Sequence, residues 1–338
     1  MKLNRFAEYL GWTGVLGSDG PAYVEAVTLT ANAVGKGVGT SNGSLDTDAA
    51  TLTLNIGSGG AALQDVDSVT LNASTLALNA SLNIGANNGL TIAGNQAATG
   101  TGSLTFNADS NTNGVGTLTV NNGVTLSTAN QPVSVTANNL VLDGAINAGA
   151  GDVSLLPSTG VTIGIGSGAG TFNVNNAELA AISTTGTLTI GNGVAGAVLV
   201  DDVNAGTKNL SISTGSTIND SDDTGDAIST TGALTLTSNG PIGNLTVPQG
   251  LNVNVGILNV NSTSGNNVVI TDSGANGPTT LNVVFTEGAG DITYTLLNND
   301  LLIGNVATTG NVTLTAGNGN IDASSDDVLV FLMGGGAC

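Results

Sequence analysis

Ile182-Ser-Thr-Thr-Gly-Thr-Leu-Thr-Ile190 returns as Ile228-Ser-Thr-Thr-Gly-Ala-Leu-Thr-Leu236, 46 residues later, and again as Ala307-Thr-Thr-Gly-Asn-Val-Thr-Leu-Thr315 after a further 78. A looser copy, Gly206-Thr-Lys-Asn-Leu-Ser-Ile212, lies about half-way between the first two, and Gly149-Ala-Gly-Asp-Val-Ser-Leu155 is echoed by Gly288-Ala-Gly-Asp-Ile-Thr-Tyr294. The spacing implies a unit of roughly 20 to 26 residues, the size of one solenoid turn, and so on the order of 13 to 15 turns. One such turn cannot bury its apolar face alone; stacking on its neighbours does it.

Working outward from these phrases, short runs alternate apolar and polar residues: Thr51–Asn55, Ser103–Asn107, Thr117–Asn121 and Leu251–Val255. Period two puts alternate side chains on opposite faces, as in a half-buried strand. Asn-Gly steps, eight in all, separate many runs, and both residues tolerate the positive φ of a tight corner. Asn-Gly also makes hairpin turns, which would give a sandwich or barrel. Only five of the nine aromatic residues lie beyond residue 23, too few for a thick two-sheet core. A thin core of stacked Val, Ile, Leu and Ala, with the 42 asparagines forming amide ladders at the corners, favours a single parallel β-solenoid over residues 24–333.

Hydrophobic residues make up 40% of the chain and mean hydropathy is +0.26, which separates it from disordered chains of equally low charge. With no histidine, Ser-His-Asp and Cys-His catalysis and His-ligated zinc are excluded. One cysteine excludes an intrachain disulfide framework. Four Lys and Arg against 24 Asp and Glu give a net charge of −20 and no basic stripe for nucleic acid.

The two ends differ from the body. Leu3, Phe6 and Leu10 are spaced as on a short amphipathic helix, so residues 1–23 are expected to cap the first turn. Glu8 and the Gly11-to-Gly14 stretch argue against a signal peptide. Val328–Met333 is too short to span a membrane, which takes about 20 residues, and no membrane insertion is expected. It reads as a last strand without a polar cap, pointing to a fragment or to end-to-end self-association through this turn. Residues 334–338 are expected to form a tail, with Cys338 an incidental thiol or, on association, one half of an intermolecular disulfide.

Asp220, Asp222, Asp223 and Asp226 form the densest polar cluster and are candidate calcium ligands, although the chain has neither an EF-hand Glu nor calcium-roll repeats around them. The alternative is a solvated loop. Asp201-Asp202, Asp222-Asp223 and Asp326-Asp327 are adjacent acids, but neighbours in a strand point to opposite faces, so adjacency is no evidence for a glycosidase pair. Thr-x-Thr steps at Thr28, Thr51, Thr117, Thr187, Thr235 and Thr313 suggest an ice-binding threonine array, but their unequal intervals predict a patchy one.

Ile228–Gly240, Leu251–Val255 and Gly310–Ile321 resemble the β-helical shafts of filamentous-haemagglutinin-type exoproteins and autotransporter adhesins. The resemblance covers about residues 24 to 333. It implies a right-handed parallel β-helix at the cell surface or in an extracellular matrix, contacting host or neighbouring-cell glycans or proteins. The expectation is a non-enzymatic shaft without cofactor. A polysaccharide-binding or carbohydrate-active β-helix, an ice-binding solenoid and a designed scaffold are the alternatives.

Overall fold

A computed structural model describes residues 24–39, 43–222, 224–243, 250–324 and 331–332. The expected N-terminal cap, the 334–338 tail and Cys338 lie outside the described residues. The described chain is almost entirely β-structure, and its strands stack in parallel as a solenoid of about 13 turns. Contacts divide it into two compact units, one holding the chain up to Thr159 with Ala180–Gly186, the other Gly160–Leu179 and the chain from Thr187 onward.

In the first unit, Val24–Ala33 pairs with Leu45–Ile56, which pairs with Ser68–Leu71, then Gly89–Ile92, Thr117–Val120 and Asn139–Leu142, every pairing parallel. Register lays aliphatic residues on aliphatic residues. Leu29, Leu52, Leu71, Ile92, Val120 and Leu142 stack in one buried column. A second face runs through Ala61–Asp65, Leu82–Ala86, Leu104–Asn107, Val133–Ala137 and Val153–Pro157, with Leu63, Ile84, Phe106, Val135 and Leu155 stacked inside. The second unit repeats the device, stacking Ile190, Ile212, Leu236, Val260, Val284 and Val306. Parallel pairing follows from the winding: each strand meets the equivalent strand one turn later, running the same way.

The Thr-Thr-Gly phrase has a common local structure. The first threonine turns inward and donates its hydroxyl to a carbonyl of the preceding turn: Thr184 to Gly151 (2.6 Å), Thr230 to Lys208 (2.7 Å) and Thr308 to Gly290. The same oxygen accepts the N–H of the glycine two residues on, at 2.8, 3.0 and 2.9 Å respectively. A hydroxyl that both donates and accepts closes the corner and satisfies buried backbone groups. The third copy occupies a different corner from the second. Thr308 ends the strand Leu301–Thr308 and completes a buried hydroxyl column with Thr214, Ser238, Ser262 and Thr286, whereas Thr230 lies within Ile228–Ser238, ahead of Leu234. Hence 78 residues is not a whole number of turns: the phrase encodes a corner, not a face.

The asparagines act mainly by a different route from the expected ladders. Asn-to-Asn amide bonds join turns at Asn113–Asn88, Asn282–Asn259 and Asn318–Asn298. Many others accept a backbone N–H from the next turn, as Asn79 does from Thr101, Asn130 from Ala150 and Asn209 from Ala233. A side-chain carbonyl at a corner faces an unpaired N–H of the next loop more often than a second amide. The helix Asn176–Ala181 was not anticipated; Asn175 accepts from the N–H groups of Ala177 and Glu178, and Glu178 accepts from the N–H of Asn175, a reciprocal cap.

Candidate functional site

The acidic corner of the second unit gathers more carboxylates than the candidate cluster alone. Val198–Asp201 pairs with Ile218–Asp220, Val200 opposite Asp220, which brings Asp201 and Asp202 next to Asp220 and Asp222. Partial burial, and then the negative charges of Asp222, Asp202 and Asp220, hold the Asp201 carboxyl above its ordinary range. Asp220 is buried; one oxygen accepts from the Asn252 amide (3.0 Å), the other from the N–H of Asp222 (3.3 Å). Exposed Asp222 accepts from the N–H (2.9 Å) and hydroxyl (2.7 Å) of Thr224, which lowers its pKa. Asp226 accepts from the Ser273 hydroxyl at 3.2 Å, and Asp223 lies outside the described residues. Among the described residues no three acidic, histidine or cysteine side chains are grouped so as to hold one metal ion.

The consequence is electrostatic. A folded-state pKa raised above 3.8 means that the Asp201 contribution is favourable below that value and is lost as pH rises through the folded one. Asp201→Asn is therefore expected to raise the melting temperature at pH 7 and to give no gain at about pH 3, where the wild-type carboxyl is already protonated. A calcium ion at this corner would appear in the same assay as a higher melting temperature in millimolar calcium than in chelator.

Three further aspartates are fully buried, and adjacency gave no sign of them. Asp65 accepts from Thr47 (2.7 Å) and from the N–H of Ala49 (3.0 Å). Asp109 accepts from Ser158 and from the N–H groups of Asn113 and Gly114. Asp272 accepts from the Tyr294 hydroxyl (2.8 Å), the Thr279 hydroxyl (3.0 Å) and the N–H of Gly274 (2.8 Å). Burial raises the pKa of both Asp65 and Asp272. The sequence signal was the alternation itself: in Val-Val-Ile-Thr-Asp272 and Ala-Ala-Leu-Gln-Asp65 the aspartate falls in phase with the inward residues. These groups brace corners; their oxygens face protein donors.

The array of Thr-x-Thr steps is interrupted, as at Asn72, Asn209 and Asn259, but one outward column of the first unit is more regular than the intervals predict. Thr28, Thr51, Thr70, Thr91 and Thr119 stack in unbroken register. Loop length varies, so intervals along the chain range from 19 residues (Thr51 to Thr70) to 28 (Thr91 to Thr119) without disturbing the column. The neighbouring column is shorter in threonine: Thr30 and Thr53 are followed by Asn72, whose amide donates to the Thr53 hydroxyl at 3.0 Å.

Compared with protein-family models, curated proteins and solved structures, the chain matched none of them.

Proposed function

We propose that this parallel β-solenoid is a non-enzymatic shaft module of a cell-surface or extracellular-matrix protein, spacing and displaying contacts to glycans or proteins. The supporting observation is the use of the polar side chains. Asp65, Asp109, Asp220 and Asp272, the buried acids with the strongest shielding from water, each hold a corner or an adjacent turn. The resemblance of Ile228–Gly240 and Gly310–Ile321 to haemagglutinin-type shafts points the same way. End-to-end self-association through the C-terminal turn belongs to this reading. Glycan arrays and a reducing-sugar assay on polysaccharides test the proposal. The expected result is saturable binding with no release of reducing ends; turnover would overturn it in favour of a carbohydrate-active β-helix.

The unbroken column of five threonines supports an ice-binding solenoid as a second reading. Thermal hysteresis in concentrated solution decides it, and its absence disposes of this reading.

A further inference from the structure

One face of the second unit is formed by Thr187–Asn192, Asn209–Thr214, the later half of Ile228–Ser238, the later half of Leu251–Ser262, Thr279–Thr286 and Leu301–Thr308, stacked in that order. These strands contain no Asp, Glu, Lys or Arg, in a chain of net charge −20. Over the first three strands the outward residues are mostly polar, among them Thr189, Ser211, Thr235 and Thr237. The character then changes: Ile257, Val283 and Phe285 are 44%, 40% and 38% exposed.

At Val283 and Phe285 that change depends on a bulge. Leu258 pairs with Leu281, but Asn259 pairs with Val283, leaving Asn282 as the extra residue. Strict alternation from Leu281 would turn Val283 and Phe285 inward. The bulge reverses them, so Val284 and Thr286 enter the core while Asn282, Val283 and Phe285 face out. It is repeated in the next strand, where Leu281 pairs with Ile303 and Val283 with Asn305, and a Cβ on Gly304 would lie 2.7 Å from the carbonyl oxygen of Asn282. Two successive strands thus share an irregularity; the first turns Val283 and Phe285 outward, the second Asn305 and Ala307.

We propose that this bulged, uncharged face is a lateral self-association surface, occupied by a second copy of the chain. The charge distribution selects the occupant. A basic partner would be drawn to the acidic corners and gains nothing here. Two copies, each at −20, repel over charged surface and approach most closely where neither carries charge. A two-fold axis lying in the plane of the face lays the same patch on itself, apolar against apolar, and closes the assembly as a dimer.

Sedimentation velocity of the full chain over a wide concentration range tests this. Wild type is expected to show a monomer–dimer equilibrium. Raising ionic strength from about 0.01 M to about 0.15 M, which shortens screening from ~30 Å to ~8 Å, should tighten it. The double variant Val283→Thr/Phe285→Thr places at these sites the residue type found two turns earlier in the same columns, at Thr235 and Thr237. It should weaken dimerisation at least about tenfold, with an unchanged circular dichroism spectrum. Phe285→Glu, at the same exposed position, provides a second reading should the double variant fold poorly, and should weaken it likewise. A monomer at both ionic strengths overturns the proposal. So does association that survives the substitutions, which assigns it to the end of the solenoid instead, and so does a monomer that co-sediments with phosphatidylcholine vesicles.

Discussion

Asp272→Ala is expected to lower the unfolding free energy by about 3 kcal/mol, read from the shift in the urea midpoint, because it strands two buried donors at once. The Tyr294 hydroxyl loses its 2.8 Å acceptor and the N–H of Gly274 loses its own, while Thr279 keeps a bond to the Val255 carbonyl. Burial, the largest of the effects that hold the Tyr294 proton far above its ordinary range, persists in the variant, so the phenol cannot ionise to escape the mismatch. Asp272→Asn retains an acceptor and removes the buried charge, and should stay within about 1 kcal/mol of wild type at pH 7. The pH response separates the two explanations. Burial raises the Asp272 pKa above 3.8, against the opposing pull of its hydrogen bonds, and Asp65 shifts in the same direction. Both contributions are therefore fully favourable below the ordinary value and decline as pH rises through the folded ones. Wild type should gain stability on acidification from neutrality toward about pH 4, and Asp272→Asn should gain less.

Gly232→Ala is expected to cost about 1–3 kcal/mol, through overpacking rather than backbone strain. A Cβ there would lie 2.3 Å from the Lys208 carbonyl oxygen, 2.6 Å from its carbon and 2.9 Å from the N of Asn209. All three are backbone atoms of the preceding turn and none can rotate aside. Moving them breaks the neighbouring bond from Thr230 to Lys208 as well. Gly256→Ala is the control: its added methyl meets nothing within 4 Å, and the change should be neutral or stabilising by about 0.4–1 kcal/mol. A paired melt of the two variants checks both values.

The glycine of the repeated phrase was legible in the sequence as a corner, but the reason for it was not. Alternation placed Ser103–Asn107 and Thr117–Asn121 in strands, found as Leu104–Asn107 and Thr117–Val120, because a period of two survives any loop length. Loop length itself carries no such period, so intervals of 46 and 78 residues could not show which corners stack. The unbroken column from Thr28 to Thr119 is hidden for this reason: counting along the chain measures loops, whereas register is set by the inward Leu, Ile and Val that each turn must lay on the last. The bulge at Asn282 was equally hidden, since Val283-Val284-Phe285 is apolar in either phase and only the packing of Val284 and Thr286 selects one. Acidic runs drew attention to Asp220, Asp222 and Asp226, whereas the aspartates in phase with the core, Asp65 and Asp272, look unremarkable in a list of charges.

The separation between most stacked partners, 18 to 30 residues with 35 at Ile163–Val198 and 36 at Ile146–Ile182, also bears on how the chain acquires its structure. Nearly every pairing closes a loop of about 20 residues, so relative contact order is roughly 0.06 for a chain of 338, a value typical of helical bundles rather than sheet proteins. The entropic cost of adding a turn then stays constant however long the chain becomes. Assembly has the kinetics of a zipper: a slow first pairing, then rapid growth in both directions, halted locally wherever one turn is damaged.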